Sequence, residues 1–302
     1  MESTTTVSAT SIQPYPVWVD SQQKYHFGDA MHPEHPTRVE RILIELHSVL
    51  GSKVDFHATT DPLEASLLAA CSKKSAWSRT TDGDTYRTPA TDVLVERGQR
   101  MLDDAVEHLA AGKSRSGFVL IRPPGHHAGP GNRPAGFCHK NNVWYAALRC
   151  VDAGYKNVGI FDWDVHHGDG TEALWRLSRA PIRFCSMHAF GPDVYPGTGA
   201  AFESKGLLNV PLPKGTGPRT YYKAFQENVL PFLETSDIIL ISAGFDGHKD
   251  DPMGYLRLDE EVYFAMSKDL KGLGCPVLFV LEGGYNPEAL ARSVVATIGP
   301  WL

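Results

Sequence analysis

Short apolar runs alternate with longer amphipathic stretches from about residue 91 to the C-terminus. Residues 117–121, 158–161, 182–186, 238–242 and 277–281 are apolar almost throughout and of strand length. Between them the stretches 92–111, 142–153, 171–178, 220–233, 259–270 and 287–297 carry apolar positions at helical spacing. In 92–111 these are Val93, Val95, Met101, Leu102, Ala105, Val106 and Leu109, with Gly112 as a stop. Strands apolar on both faces, separated by helices, predict a mostly parallel central sheet covered on both sides. Residues 15–90 read as less regular. They hold one clear helix start, Pro36-Thr37-x-x-Glu40, a capping box before Ile42, Leu43 and Leu46, and a short helix at 63–70. No linker or internal repeat interrupts the pattern, so a single α/β domain over 15–302 is expected, preceded by a flexible Ser/Thr-rich tail at 1–14.

Composition narrows the partners. Across 302 residues, 29 Lys and Arg stand against 35 Asp and Glu, a net charge of −6. Such a chain has no overall field drawing it to nucleic acid, and no membrane association is expected. The longest apolar runs, 238–241 and 277–281, fall far short of the ~20 residues of a spanning helix. Five widely spaced cysteines with no C-x-x-C predict reduced thiols and an intracellular setting, cytoplasmic or nuclear, without secretion. Oligomeric state has no sequence signature here.

In parallel α/β sheets, ligands sit beyond the carboxyl ends of the strands. Five successive predicted strands here run into polar clusters: Gly125-His126-His127, Asp162-x-Asp164-x-His166-His167-Gly168-Asp169, Met187-His188, Gly244-Phe245-Asp246 and Glu282-Gly283-Gly284-Tyr285. Asp162, Asp164 and His166 share one face if their strand continues that far. Asp164, His166 and Asp246 then make a three-ligand site with an open position, as a catalytic metal requires. Two carboxylates balance a divalent charge, and the imidazole suits Zn²⁺ or Fe²⁺ better than Mg²⁺. His126 and His127 are candidate bases, Asp162 and Asp169 candidate carboxylates behind them, and Tyr285 a candidate oxyanion donor.

With these residues in place, the sequence resembles the zinc-dependent histone deacetylase family and its relatives, the acetylpolyamine amidohydrolases and acetoin-utilisation proteins. The likeness runs over 26–286 through H-P-E-H-P-T-R (32–38), R-P-P-G-H-H-A (122–128), G-F-C (136–138), D-W-D-V-H-H-G-D-G-T (162–171), Y-P-G-T-G (195–199), N-V-P-L-P (209–213), A-G-F-D (243–246) and L-E-G-G-Y-N (281–286). The R-P-P-G-H-H and L-E-G-G-Y wording resembles the class II branch. The resemblance implies an arginase/deacetylase-like fold and hydrolysis of Nε-acetyl-lysine by one Zn²⁺ on Asp164, His166 and Asp246. It makes His127 the general base and later acid, backed by Asp169, and His126 an electrostatic partner, backed by Asp162. Tyr285 would polarise the acyl carbonyl. Gly136, Phe137, Tyr195 and Met253 would line the lysine tunnel. The family also implies a structural K⁺ at Asp162, Asp164, His166, Ser186 and Met187, sensitivity to hydroxamates, and Asp84 as a grip on peptide backbone at the rim.

Two departures stand out. Cys71-Ser72-Lys73-Lys74 replaces a segment that often holds a histidine, and Met253 occupies a place where polyamine-selective relatives can carry an acidic residue. Met253 favours an acyl-lysine side chain over acetylpolyamine. Two competing readings are a binuclear manganese ureohydrolase, which has Asp where His248 stands, and a catalytically dead scaffold, which would have lost a ligand, the His pair or the Tyr.

Overall fold

The computed structural model describes residues 13–73, 77–131 and 133–302. The expected tail at 1–14 lies outside these residues except for its last two positions, and so does Lys74 of the departing segment. The chain runs β1 (Tyr15–Asp20), α1 (Thr37–Val49), β2 (Val54–Thr59), α2 (Ala65–Cys71), β3 (Ser78–Arg79), β4 (Tyr86–Arg87), α3 (Thr91–Ala110) and β5 (Ser116–Leu120). It continues with α4 (Asn142–Asp152), β6 (Val158–Asp162), α5 (Asp169–Leu177), β7 (Ile182–Ala189), β8 (Phe202–Glu203), β9 (Leu207–Leu212), α6 (Pro218–Ala224) and α7 (Leu230–Leu233). The last elements are β10 (Ile238–Ala243), α8 (Glu260–Gly272), β11 (Val277–Leu281) and α9 (Pro287–Ile298).

Among the described residues nine strands form one sheet in the order β2-β1-β5-β11-β10-β6-β7-β9-β8, parallel except for β8. Every residue of β5, β11, β10 and β6 is buried, so both faces of the central sheet are covered, as their unbroken apolar runs require. Helix α3 lies against β1 and β5, α4 against β10 and β6, and α5 against β7, while α9 packs on both α1 and α8. The architecture is the expected single α/β domain.

Three local expectations need correction. The segment read as irregular contributes two sheet strands: β1 pairs with β5, and β2 pairs with β1 at the sheet edge. Pro16 within β1 and the half-polar composition of β2 hide both from an apolar-run reading. The predicted helix 220–233 divides at a π-turn, Phe225–Val229, because Pro231 has no N–H to continue the ladder. Finally, Asp164 and His166 do not lie on a strand. β6 stops at Asp162, and the turns beyond it are held by side chains: Asp162 Oδ1 accepts from Asp164 N at 3.1 Å and Asp164 Oδ1 from His166 N at 3.0 Å.

Candidate active site

The carboxyl ends of β5, β6, β10 and β11 are neighbours in the sheet, and the predicted polar clusters meet there. Asp164, His166 and Asp246 are all buried, with one ligand atom of each within 4.8 Å of the others. Nδ1 of His166 is 3.1 Å from both Asp164 Oδ1 and Asp246 Oδ2. Burial opposes charge on this imidazole, but Asp246 and Asp164 outweigh it and raise its pKa to about 10. The second oxygens are fixed by backbone: Gly283 N donates to Asp164 Oδ2 at 2.9 Å and Val165 N to Asp246 Oδ1 at 2.9 Å. A Cβ at Gly283 would fall 2.3 Å from Asp246 Oδ2, so only glycine lets the backbone approach the carboxylates this closely. Two carboxylates and one imidazole converging out of water form a donor set that fits a divalent transition metal.

His126 and His127 follow β5 with ring centroids 4.0 Å apart. Their Nδ1 atoms donate to different carboxylates, His126 to Asp162 Oδ2 at 2.9 Å and His127 to Asp169 Oδ1 at 2.6 Å. The environments push the two apart. Burial disfavours a proton on His126, but Asp164 and Asp162 hold its pKa well above the usual histidine range. Burial, reinforced by the charge on His126, lowers His127 to about 4 against the pull of Asp169. Such divergence between neighbours is how one site obtains a neutral base beside a charged group.

Tyr285 completes the floor. Its ring meets Phe137 edge-on at 5.7 Å, and the Arg38 guanidinium lies 5.0 Å from its centroid. A cavity of about 380 Å³ adjoins it, lined by His127, His166, Tyr285, Gly136, Phe137, Tyr195, Met253 and Asp84 among others. Gly136 has φ +52°, and a Cβ there would strike His127 Cδ2 at 2.4 Å. The next residue, Phe137, also has positive φ, at 70°, which presents its ring from a tight turn. Asp84 is exposed and 3.8 Å from Arg79. Ser186 lies in register with Asp162 on the adjoining strand and bonds His188, while Met187 is fully buried. His248 turns to Glu260 at 3.4 Å rather than joining the carboxylate cluster.

Three supporting residues carried no role in the sequence reading. Arg38, buried, donates to the Gly284 carbonyl at 2.6 Å and to the Glu282 carbonyl, so it holds the loop that carries Tyr285. Asp251 Oδ2 accepts from Tyr285 N at 2.5 Å and Asn286 N at 3.1 Å. Glu282 Oε2 accepts from Gly125 N at 2.7 Å and His126 N at 3.1 Å, tying the histidine loop to β11. Arg38 and Glu282 stand inside motifs, but nothing local marks their partners.

The histone deacetylase domain model matches residues 32–299. The chain belongs to the histone deacetylase family. It is 36% identical over 297 residues to an uncharacterized protein of Synechocystis, covering 92% of this chain and 96% of that one. It is 39% identical to Histone deacetylase 15 of Arabidopsis thaliana over 226 residues, 71% of this chain but 41% of the plant protein. Acetylpolyamine amidohydrolase 1 of Pseudomonas aeruginosa is 36% identical over 63% of this chain and 57% of its own length. The crystal structure of the HDA15 HD domain superposes with a TM-score of 0.84 at 31% identity, covering 95% of this chain and 88% of that one. This histone deacetylase family member thus stands in a family of deacetylase-class hydrolases whose named relatives include both histone deacetylases and an acetylpolyamine amidohydrolase.

Proposed function

We propose that residues 15–302 form a zinc-dependent deacylase domain that hydrolyses Nε-acetyl-lysine in peptides or proteins to lysine and acetate. The observation that carries this reading is the meeting of the Asp164–His166–Asp246 donors with two imidazoles of opposite character at the floor of one aromatic-walled cavity. Asp164, His166 and Asp246 would hold a Zn²⁺, which when bound would supply Lewis-acid polarisation to the acyl carbonyl and the attacking water. His127, neutral and held through Nδ1 by Asp169, takes the water proton as the C–O bond forms. Tyr285 donates its hydroxyl hydrogen bond to the developing oxyanion, and the charge on His126 stabilises it further. His127 then returns the proton to the lysine nitrogen as the C–N bond breaks, which balances the reaction as acetate plus amine.

The tunnel supports lysine over polyamine. Met253, Phe137 and Tyr195 line it without offering a charge to a second ammonium group, and the carboxylate in the lining, Asp84, faces Arg79 at 3.8 Å. A K⁺ bound by Asp162, carbonyls at Asp164 and His166 and the Ser186–Met187 segment belongs to the same proposal, supported by the register that puts Ser186 beside Asp162. No helix among the described residues is long and apolar enough to cross a membrane.

The test is hydrolysis of acetyl-lysine peptides and acetylpolyamines ranked by kcat/KM, with hydroxamate inhibition alongside. Peptides should rank first, and Met253→Glu should shift the ranking toward polyamines. Tyr285→Phe should lower kcat by about 10²–10³ and His127→Ala by about 10²–10⁴. Equal rates in wild type and both variants would refute the assignment, and two Mn per chain with urea released from arginine would replace it.

A further inference from the structure

A second group of donors adjoins the first, with His126 Nε2 3.8 Å from Asp164 Oδ1. His126, Cys138 and Glu282 are each buried, and one donor atom of each lies within 4.8 Å of the others. They arrive from separate segments: His126 from the loop after β5, Cys138 from the tunnel turn, Glu282 from the end of β11. The His126 ring has Nδ1 committed to Asp162, which leaves Nε2 as its ligand atom. Cys138 Sγ accepts from His127 N at 3.5 Å and donates to Gly136 O at 3.4 Å, ordinary lengths for sulfur, and only the second of these bonds would be given up by a thiolate ligand.

The Glu282 carboxylate points to a ligand independently. Its Oε2 takes two backbone amides, while Oε1 is buried with no hydrogen-bond partner among the described residues. A buried carboxylate oxygen without a partner is costly and is commonly completed by a proton, a water or a cation. A cation answers the geometry best, because the Cys138 thiol and the His126 ring converge on the same point as the Glu282 carboxylate.

We propose that His126 Nε2, Cys138 Sγ and Glu282 Oε1 form a second, inhibitory site for a borderline-soft divalent cation such as Zn²⁺. The combination of imidazole, thiolate and carboxylate suits zinc or cobalt and is poor for Mg²⁺ or Ca²⁺. Binding releases the thiol proton of Cys138 and any proton on His126 Nε2 to solvent. An occupied site takes the His126 imidazole out of the reaction and brings a second positive charge beside the first metal. Cation binding stands apart from the proposed deacylation; only the inhibitory consequence rests on it.

Cobalt separates the two sites, because the Asp/His/Asp donors contain no sulfur. On titrating the metal-free full chain with Co²⁺, one equivalent should restore activity without a thiolate-to-metal charge-transfer band in the near ultraviolet. A second equivalent should bring in that band while activity on an acetyl-lysine peptide falls at least tenfold. Cys138→Ser should keep the one-equivalent activity, lose the band and resist excess Co²⁺ and Zn²⁺, binding one ion where wild type binds two by equilibrium dialysis. Glu282→Gln should weaken the second ion's binding without affecting the first. Absence of the band in wild type overturns the site whatever the variants do, as does a band or an inhibition unchanged in Cys138→Ser. If the chain has no deacylase activity, the band and the stoichiometry still decide the site.

Discussion

His126 and His127 are adjacent in sequence and alike in chemistry, yet the carboxylates behind them and the charges around them make one an acid form and the other a base form. A histidine whose pKa is lowered to about 4 stays unprotonated until the pH falls that far. If His127 is the base, kcat/KM is flat through neutrality and drops only as pH falls through that value, well below the ordinary histidine value of about 6.5. A pH–rate profile with its acid limb at the ordinary value would contradict this. Asp169 raises the His127 pKa and fixes its tautomer. Asp169→Ala should therefore lower kcat by up to about 10²–10⁴, the range of a positioned general base, while hydroxamate affinity changes far less.

At the scale of elements, the segment before α1 and the loop after β11 are locked by a buried ion network. Glu34 receives Arg122 at 2.5 and 2.8 Å and Arg38 at 3.0 Å, with Tyr86 at 3.1 Å. Burial alone would raise the Glu34 carboxyl, but Arg122 and Arg38 hold it well below the usual carboxylate range. A carboxyl depressed on folding stabilises the fold above its unfolded pKa, about 4.3, and that stability is lost as pH falls toward the folded value. Glu34→Gln leaves buried guanidinium charge uncompensated and should cost about 3–5 kcal/mol in urea unfolding at pH 7. The same variant should flatten the acid dependence of stability. Because Arg38 also holds the carbonyls of Glu282 and Gly284, Arg38→Ala should lower kcat through Tyr285 with folding retained. Unchanged kcat there would show that the loop holds itself.

For the whole molecule, the sheet gathers acidic side chains at one end, and a metal is the natural counter-charge. Chelation should lower Tm and added Zn²⁺ should restore it, since an ion at 1,000 times its Kd adds about 4.1 kcal/mol to the native state. A Tm indifferent to chelator and to Zn²⁺ would remove the metal from the proposal.

The residues at this edge were legible in the sequence because each follows directly on an apolar strand, and a strand end exports its next residues to the same edge of a parallel sheet. That local rule placed His126, His127, Asp164, His166, Asp246 and Tyr285 together without any knowledge of strand order. Pairing was not legible. β10 sits between β11 and β6, and that order brings Asp246 to within 3.1 Å of His166. Arg38 reaches Gly284 across 246 residues, and Glu282 meets Gly125 across 157. The strand β1 was missed for a related reason: its place next to β5 rests on burial contributed by distant segments, not on its own periodicity. Sequence alone determined which chemical groups stand at the edge, since local hydrophobic period and turn chemistry decide where strands end. Only tertiary structure decided which of them touch, because strand order and buried ion pairs are set by long-range packing that leaves no local mark.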